Sequence, residues 1–370
     1  MKNIYLGLIS GTSADGVDAC AVSFDDTNQP QQYGCLTLAY DSELRQKIFS
    51  VQQRDISLDE FGELDTQIGE HFAHTALQLI DSLSIERASI IAIGSHGQTV
   101  RHSPNSPHPF SLQLGNPSLI AERTELTTVA NFRQRDIAAG GQGAPLVPVF
   151  HHAWLGHLDN TAVLNLGGIA NLSIWHQGST SHVEGFDCGP ANTLLDAWCS
   201  RHLNENYDDN GQWARSGCIN SSLLENLLNH EFFNLATPKS THIDQFSLDW
   251  LDQIIAISNA KCASAENVAA TLVELTAVSV VQALRLSSST IKRLIACGGG
   301  CKNSFMLERI AEHLGTTPLE RCDNYGIGAD WVEAVAFAWL ARQTLAHQEI
   351  TTPTITGARH ACVLGGIYYA

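Results

Sequence analysis

Apolar residues along this chain follow two alternating patterns. Unbroken apolar runs closed by glycine or polar turns predict buried strands at Ile4 to Ile9, Val17 to Phe24, Cys35 to Tyr40 and Ile90 to Ser95. The pattern returns at Thr161 to Leu166, Leu172 to Trp175 and Arg293 to Cys297. Helical spacing fills the intervals. Ser42 to Gln52 and about Leu58 to Leu83 read as helices, and in the second of these Phe61, Leu64, Ile68, Phe72 and Leu79 share one face. A third helical stretch covers Leu248 to Leu286, with Val268, Leu272, Leu275 and Val278 in one stripe. Further helices are expected from Asn192 and over Ser304 to Leu314. A last one, Ala329 to His347, is so rich in Ala, Val, Phe and Trp that it must be buried between other elements.

The order of these elements predicts an α/β protein. Strand, glycine turn and strand open the chain, and the same unit reappears at Thr161 to Trp175, so each half begins alike without a residue-level repeat. A chain of 370 residues is too long for one core. The division expected is a first lobe of residues 1–128 plus 334–370 and a second of 129–333. The Pro-rich loop Ser103 to Pro109 reads as a surface excursion and not as a boundary.

Hydrophobic residues at 44% and charged residues at 16% describe a globular chain with enough apolar material for a core. The net charge of −17 argues against nucleic acid or an anionic membrane as partner, since both need clustered Lys and Arg. It leaves phosphate binding open, because backbone N–H groups hold phosphate without net positive charge. The ten cysteines include no CxxC pair and read as buried, reduced thiols. His96, His102 and His108 are six apart, and His151 and His152 are adjacent. Neither spacing suits zinc. The N-terminus reads as a first strand and not a signal peptide, and no apolar run reaches the roughly 20 residues of a membrane span. A cytoplasmic location follows, with the oligomeric state open, a homodimer included.

Three glycine turns carry candidate chemistry. GTSADGVD, Gly11 to Asp18, lies in a tight hairpin where Gly11, Thr12, Ser13 and Gly16 offer backbone N–H groups and hydroxyls to a phosphate chain. Asp15 and Asp18 could hold Mg²⁺ through water. A plain Asp-Gly β-turn fits the same residues. LNLGGIAN, Leu164 to Asn171, is a second glycine hairpin. CGGGCKN, Cys297 to Asn303, joins a strand to a helix and lets backbone pass close to a flat or charged ligand. Two phosphate hairpins, a late glycine turn and a buried closing helix form the layout of the actin–hexokinase–Hsp70 superfamily, with ribonuclease H-like lobes.

Within that layout GTSADGVD, SHGQTV, NFRQRDIAAGGQGAPLVP, LNLGGIANL, GFDCGPAN and GIGADWVEAVAFAWLA, in this order, resemble the signatures of anhydro-N-acetylmuramic acid kinases over essentially the whole chain. Ala14 stands where that family often has a larger apolar residue, and Cys188 where Thr is frequent. The resemblance implies a two-lobed fold with the nucleotide in the cleft between the lobes, and ATP and Mg²⁺ as cofactors. It implies a small sugar as substrate, opened and phosphorylated to N-acetylmuramic acid 6-phosphate in cell-wall recycling. It also implies ATP contacts from Gly11, Thr12, Ser13, Ala14, Asp15, Gly16, Val17 and Asp18, from Gly167 and Gly168, and from Gly298, Gly299, Gly300 and Asn303. His96, Gln98, Arg133 and Glu333 are expected at the sugar, and Asp136 near it.

An anhydro sugar carries no proton on O6, so the base must act on a water that attacks C1 while O6 leaves toward phosphate, inverting C1. Asp187 in GFDCGPAN is the expected base and Glu333 the alternative carboxylate. Other readings of the same residues are a kinase for a different sugar or a carboxylic acid, and a non-catalytic nucleotide switch of the actin or Hsp70 type.

Overall fold

The computed structural model describes residues 3–176, 183–237, 239–258, 263–287, 290–350 and 353–370. The chain divides into two compact units, one running to Leu155 and resuming at Trp331, the other covering Gly156–Asp330. The expected division lay at 128/129 and 333/334. Residues 129–155 belong to the first unit because their elements complete its sheet and pack on its closing helix. Phe150, on the helix Val147–Leu155, lies 5.9 Å from the ring of Trp339.

Unit 1 is built on β1 (Ile4–Ser10), β2 (Gly16–Phe24), β3 (Pro30–Ala39), β4 (Ile90–Ser103), β5 (Phe110–Leu114) and β6 (Thr128–Ala130). The C-terminal strand Gly366–Tyr368 closes its edge against β6. β1, β2 and β3 form an antiparallel meander; β4 runs parallel to β1 and β6 parallel to β4. Unit 2 repeats that succession with β7 (Thr161–Leu166), β8 (Ile169–Trp175), β9 (Val183–Pro190), β10 (Arg293–Cys297) and β11 (Leu319–Arg321). There β7, β8 and β9 are the meander and β10 and β11 the parallel extension. The expected doubling of one α/β unit is therefore present in five strands of each sheet, while β5 and Gly366–Tyr368 have no counterpart in unit 2 among the described residues.

Several boundaries differ from the expectation, each for a local reason. β3 begins at Pro30, since an edge strand tolerates proline and its half-exposed residues are not apolar enough to announce it. β4 continues through SHGQTVRHS to Ser103 because β5 pairs with it, Gln98 opposite Leu114 and His102 opposite Ser111. Leu248 to Leu286 is two helices, Leu248–Ile257 and Ala265–Leu286, and residues 259–262 between them lie outside the described residues. The closing element is a 3₁₀ turn, Ala329–Trp331, followed by the helix Val332–Leu345. Ala265–Leu286 is, by length and composition, apolar enough to cross a membrane, contrary to expectation, yet most of it is buried inside the fold as a core helix. Among the described cysteines Cys218 is exposed, against the expectation of burial.

Local chemistry explains the helix starts in unit 1. Asp41 accepts a hydrogen bond from the Leu44 N–H at 2.8 Å and starts Ser42–Gln53. Ser57 accepts from the Glu60 N–H at 3.1 Å and starts Leu58–Leu83. The apolar face of the second helix, Leu64, Ile68, Phe72 and Leu79, then packs into a core with Leu6, Leu8, Val17 and Ile93.

The opposite side of the sheet is governed by two glycines. Gly7 of β1 and Gly94 of β4 are paired across adjacent strands. A Cβ at Gly7 would sit 1.7 Å from the Ala334 carbonyl oxygen, and one at Gly94 2.0 Å from that of Phe337. The closing helix thus lies with its backbone directly on the sheet. Gly94→Ala should cost more than the usual 1–3 kcal/mol of overpacking, since the obstacle is backbone. A Tm lowered by roughly 6–12 °C, or failure to fold, is the expected outcome in calorimetry. Gly62→Ala, in an open helical position, should instead stabilise by about 0.5–1 kcal/mol.

Candidate active site

The first hairpin is braced from below. Ala14 takes a left-handed φ of +47° and its N–H bonds the Gly11 carbonyl at 3.2 Å, which closes the turn. Gln98, fully buried in β4, accepts from the Ser10 hydroxyl at 2.5 Å and donates to the Gly11 carbonyl at 3.1 Å. Its amide therefore props the hairpin, and what it could offer a sugar is already engaged. Arg45, on the helix Ser42–Gln53, clamps the turn from the other side. It donates to the carbonyls of Ala14 and Ser13, each at 3.2 Å, and to the Asp15 carboxylate at 2.8 Å. Gly11, Thr12 and Ser13 remain exposed, and a Cβ at Gly11 would meet nothing closer than 3.9 Å. Gly16 is different, since its Cβ would lie 2.4 Å from the Leu38 carbonyl oxygen; its glycine serves β2–β3 packing. The Val17 side chain is buried in the core, so only its backbone could meet a nucleotide.

Beside this hairpin unit 1 gathers His96, Arg133 and Glu333. His96 is buried, and desolvation with the nearby Arg133 charge pushes its pKa well below the ordinary range, so the ring is neutral. Nδ1 lies 2.9 Å from the Gly97 carbonyl and must carry the proton. Nε2 is then the acceptor for Arg133 Nε at 2.8 Å. Both ring nitrogens are used, and His96 orients Arg133, whose Nη1 also donates to the Gly143 carbonyl at 2.9 Å. Glu333 has a raised pKa, chiefly from burial, lowered by the Arg133 charge and raised again by Asp18. Asp136 is fully buried, accepting from the Gly143 N–H at 2.8 Å and the Thr356 hydroxyl at 2.9 Å, which makes it a brace for the 139–143 loop.

Asp18 accepts from the Thr37 hydroxyl at 2.6 Å and shares its neighbourhood with Glu333, which suits a divalent cation. Asp15 is paired to Arg45 and suits one less. Among the described residues no group of three or more His, Cys, Asp or Glu could hold a metal. A cation here would keep several waters and lean on phosphate, as Mg²⁺ does.

Unit 2 presents Asp187 within β9, opposite Asn171, not at a strand end. The register slips by one residue just beyond, between the Asp187–Asn171 and Gly189–Ala170 pairs, leaving Cys188 as the extra residue of a bulge. The Asp187 N–H donates to the Lys239 carbonyl at 2.8 Å, and its carboxylate accepts from the Thr241 N–H at 2.9 Å. Burial raises its pKa to about 6, against the lowering effect of the Thr241 bond. Such a group is ionised at neutral pH and still basic enough to take a proton.

The other glycine turns of unit 2 divide the same way as the first. The carbonyls of Gly167 and Gly168 accept from the N–H groups of Asn192 and Ala191 at 3.1 and 3.0 Å, tying the hairpin to the helix Asn192–Leu203. A Cβ at Gly168 would meet the Thr193 hydroxyl at 2.3 Å, whereas Gly167 is open. Gly298, at φ +86°, and Gly300 let the turn approach the end of β7; Gly299 is exposed, with nothing nearer its Cβ position than 3.9 Å. Asn303 caps the helix Ser304–Leu314 through the Met306 N–H at 2.9 Å and is buried.

Arg45, Ser10, Lys239 and Thr241 were not legible as site residues. Arg45 reads as the polar face of a helix, and the others act through contacts 52 to 88 residues away in sequence.

Two units of this topology, each opening on a glycine hairpin, define an actin-like ATPase fold. Component A of the (R)-2-hydroxyglutaryl-CoA dehydratase of Acidaminococcus fermentans shares the fold, with a TM-score of 0.51 over 93% of this chain and 99% of that one at 10% identity. A model of the anhydro-N-acetylmuramic acid kinase family matches residues 3–370. Proteins named anhydro-N-acetylmuramic acid kinase from Xanthomonas axonopodis pv. citri and Coxiella burnetii are 48% and 43% identical to this chain. They cover 99% and 100% of it, and 98% of their own lengths is matched. The chain belongs to the anhydro-N-acetylmuramic acid kinase family, and so to the sugar kinases.

The two glycines of the first hairpin should separate under mutation. Gly11→Val should leave Tm within about 2 °C and raise the KM for ATP about tenfold or more, because a side chain there blocks only the exposed face. Gly16→Val should lose folded protein first, seen by circular dichroism.

Proposed function

We propose that the protein uses ATP to open 1,6-anhydro-N-acetylmuramic acid and phosphorylate O6, giving N-acetylmuramic acid 6-phosphate and ADP in peptidoglycan recycling. The relatives' shared name supports the substrate. The observation that carries the mechanism is Asp187, half-buried, held at backbone and side chain, and poised at a pKa of about 6. Because ATP is the donor, the reaction belongs to the cytoplasm.

The bonds follow from the sugar. Asp187 takes a proton from water, and the water oxygen attacks C1 as the C1–O6 bond breaks. O6 then attacks the γ-phosphorus and the bond to the β-phosphate breaks, with ADP leaving. Gly11, Thr12 and Ser13 supply N–H groups and hydroxyls to the phosphates, and the amides near Gly167 and Gly299 take further nucleotide contacts. Asp18 and Glu333, which are within electrostatic reach of each other, would hold Mg²⁺, and such a cation would offset charge on the phosphate oxygens. Arg133, fixed by neutral His96, and Glu333 line the sugar.

Asp187→Asn should lower kcat by at least about 10³ with little change in either KM, since the amide keeps size but takes no proton. A variant retaining more than a tenth of wild-type kcat would move the base to Glu333. In the wild type kcat/KM should fall about tenfold per unit as pH drops below about 6, as Asp187 protonates. The same shift has a stability sign. The folded carboxyl holds its proton from the unfolded value near 3.8 up to about 6, so stability is lost as pH rises through that window. Asp187→Asn should therefore melt higher than wild type at pH 8 and equal to it below pH 4; equal Tm at both would contradict the burial argument.

A further inference from the structure

Lys239 is buried in unit 2, yet among the described residues no carboxylate lies within ion-pair reach of it. Its ammonium donates to the carbonyls of Phe232 and Phe233 at 2.9 and 3.1 Å and lies 4.5 Å from the centre of the Phe232 ring. Burying an ammonium is costly, and a Leu or Met would fill the same space without that cost. The backbone of the same residue makes the bond that matters to the site. Its carbonyl accepts the Asp187 N–H at 2.8 Å, and two residues on, Thr241 donates its N–H to the Asp187 carboxylate at 2.9 Å. The far end of the segment is held as well, through the Thr241 hydroxyl to Gln245 at 2.6 Å.

We infer that Lys239 is a positioning residue for the base: its side chain anchors the segment 239–241, and that segment grips Asp187 at both its N–H and its carboxylate. This rests on the reading of Asp187 as the base. A base displaced by a fraction of an ångström from its water loses much of its advantage, because a misplacement of about 1 Å already costs on the order of 10²-fold. The ammonium touches neither substrate nor water in this role, so its loss should act on kcat and on the acidity of Asp187, not on substrate affinity.

The test compares Lys239→Met, Asp187→Asn and the double variant, each assayed with ATP and anhydro-N-acetylmuramic acid over pH 5 to 9. Lys239→Met should lower kcat about 10–100-fold with both KM values within about threefold. The acid limb of kcat/KM should move upward, since a loosened Thr241 N–H no longer favours the carboxylate. The Thr241 amide should exchange faster with deuterium. In the Asp187→Asn background the lysine substitution should cost less than about threefold, because it acts through the group already removed. Lys239→Arg, keeping charge and donors, should recover at least a third of the lost activity. A Lys239→Met enzyme with wild-type kcat and acid limb, or one losing as much again in the Asp187→Asn background, overturns the inference. If Lys239→Met does not fold, Lys239→Gln, too short for both carbonyls, is judged by the same outcomes. If Asp187→Asn itself remains active, the base assignment has failed; if it collapses and Lys239→Met does not, only the positioning role has.

Discussion

The absence of side chains at Gly7 and Gly94 is the constraint on which unit 1 depends. With these positions bare and side by side on β1 and β4, the helix Val332–Leu345 lays its own backbone on the sheet. The buried charged cluster of this unit is hung from that contact. Gly94 and His96 share a face of β4, and the His96 ring rests 4.6 Å from that of Phe337 on the helix. Its first turn carries Glu333, which lies within electrostatic reach of Arg133 and Asp18. His96 stays neutral because this packing desolvates it, and only a neutral ring can accept from Arg133 while donating to Gly97. A packing constraint thus fixes a protonation state, and the protonation state fixes an arginine.

Asp187 of unit 2, the base proposed above, meets a different constraint. A general base must be desolvated enough to be basic and polar enough to remain ionised at neutral pH. Burial raises Asp187 to about 6, and one backbone N–H from Thr241 keeps it from rising further. The bulge at Cys188 turns the chain next to that carboxylate, so Asp187 leaves the regular alternation of β9. Cys188 is fully buried here and its thiol pKa is pushed up by desolvation, so it acts as packing and not as a nucleophile.

Much of the fold was legible in the sequence because it is written in local patterns. Apolar runs and glycine turns located β1, β2, β7 and β10 closely, and helical spacing placed helices at about Leu58–Leu83 and Ser304–Leu314, where they lie. What escaped was structure created by partners. β4 is polar through its second half and is a strand only because β5 pairs with it. The same distinction separates the site residues. Motifs found the glycines but could not tell the exposed Gly11 and Gly299 from Gly16, Gly298 and Gly300, whose bareness serves close backbone packing. Asn303 looked like a ligand and is a helix cap; Gln98 looked like a sugar contact and is a prop. Arg45, Lys239 and Thr241 act over long sequence distances on residues the motifs did find, and no local pattern marks them.

In the proposed reaction water attacks the sugar and the sugar's own oxygen attacks the phosphate. Turnover of ATP, Mg²⁺ and anhydro-N-acetylmuramic acid in ¹⁸O-labelled water, followed by mass spectrometry of the product, reads it directly. One labelled oxygen is expected, at C1 of N-acetylmuramic acid 6-phosphate, and none in the phosphoryl group. Label in the phosphoryl group, with C1 unlabelled, would contradict it.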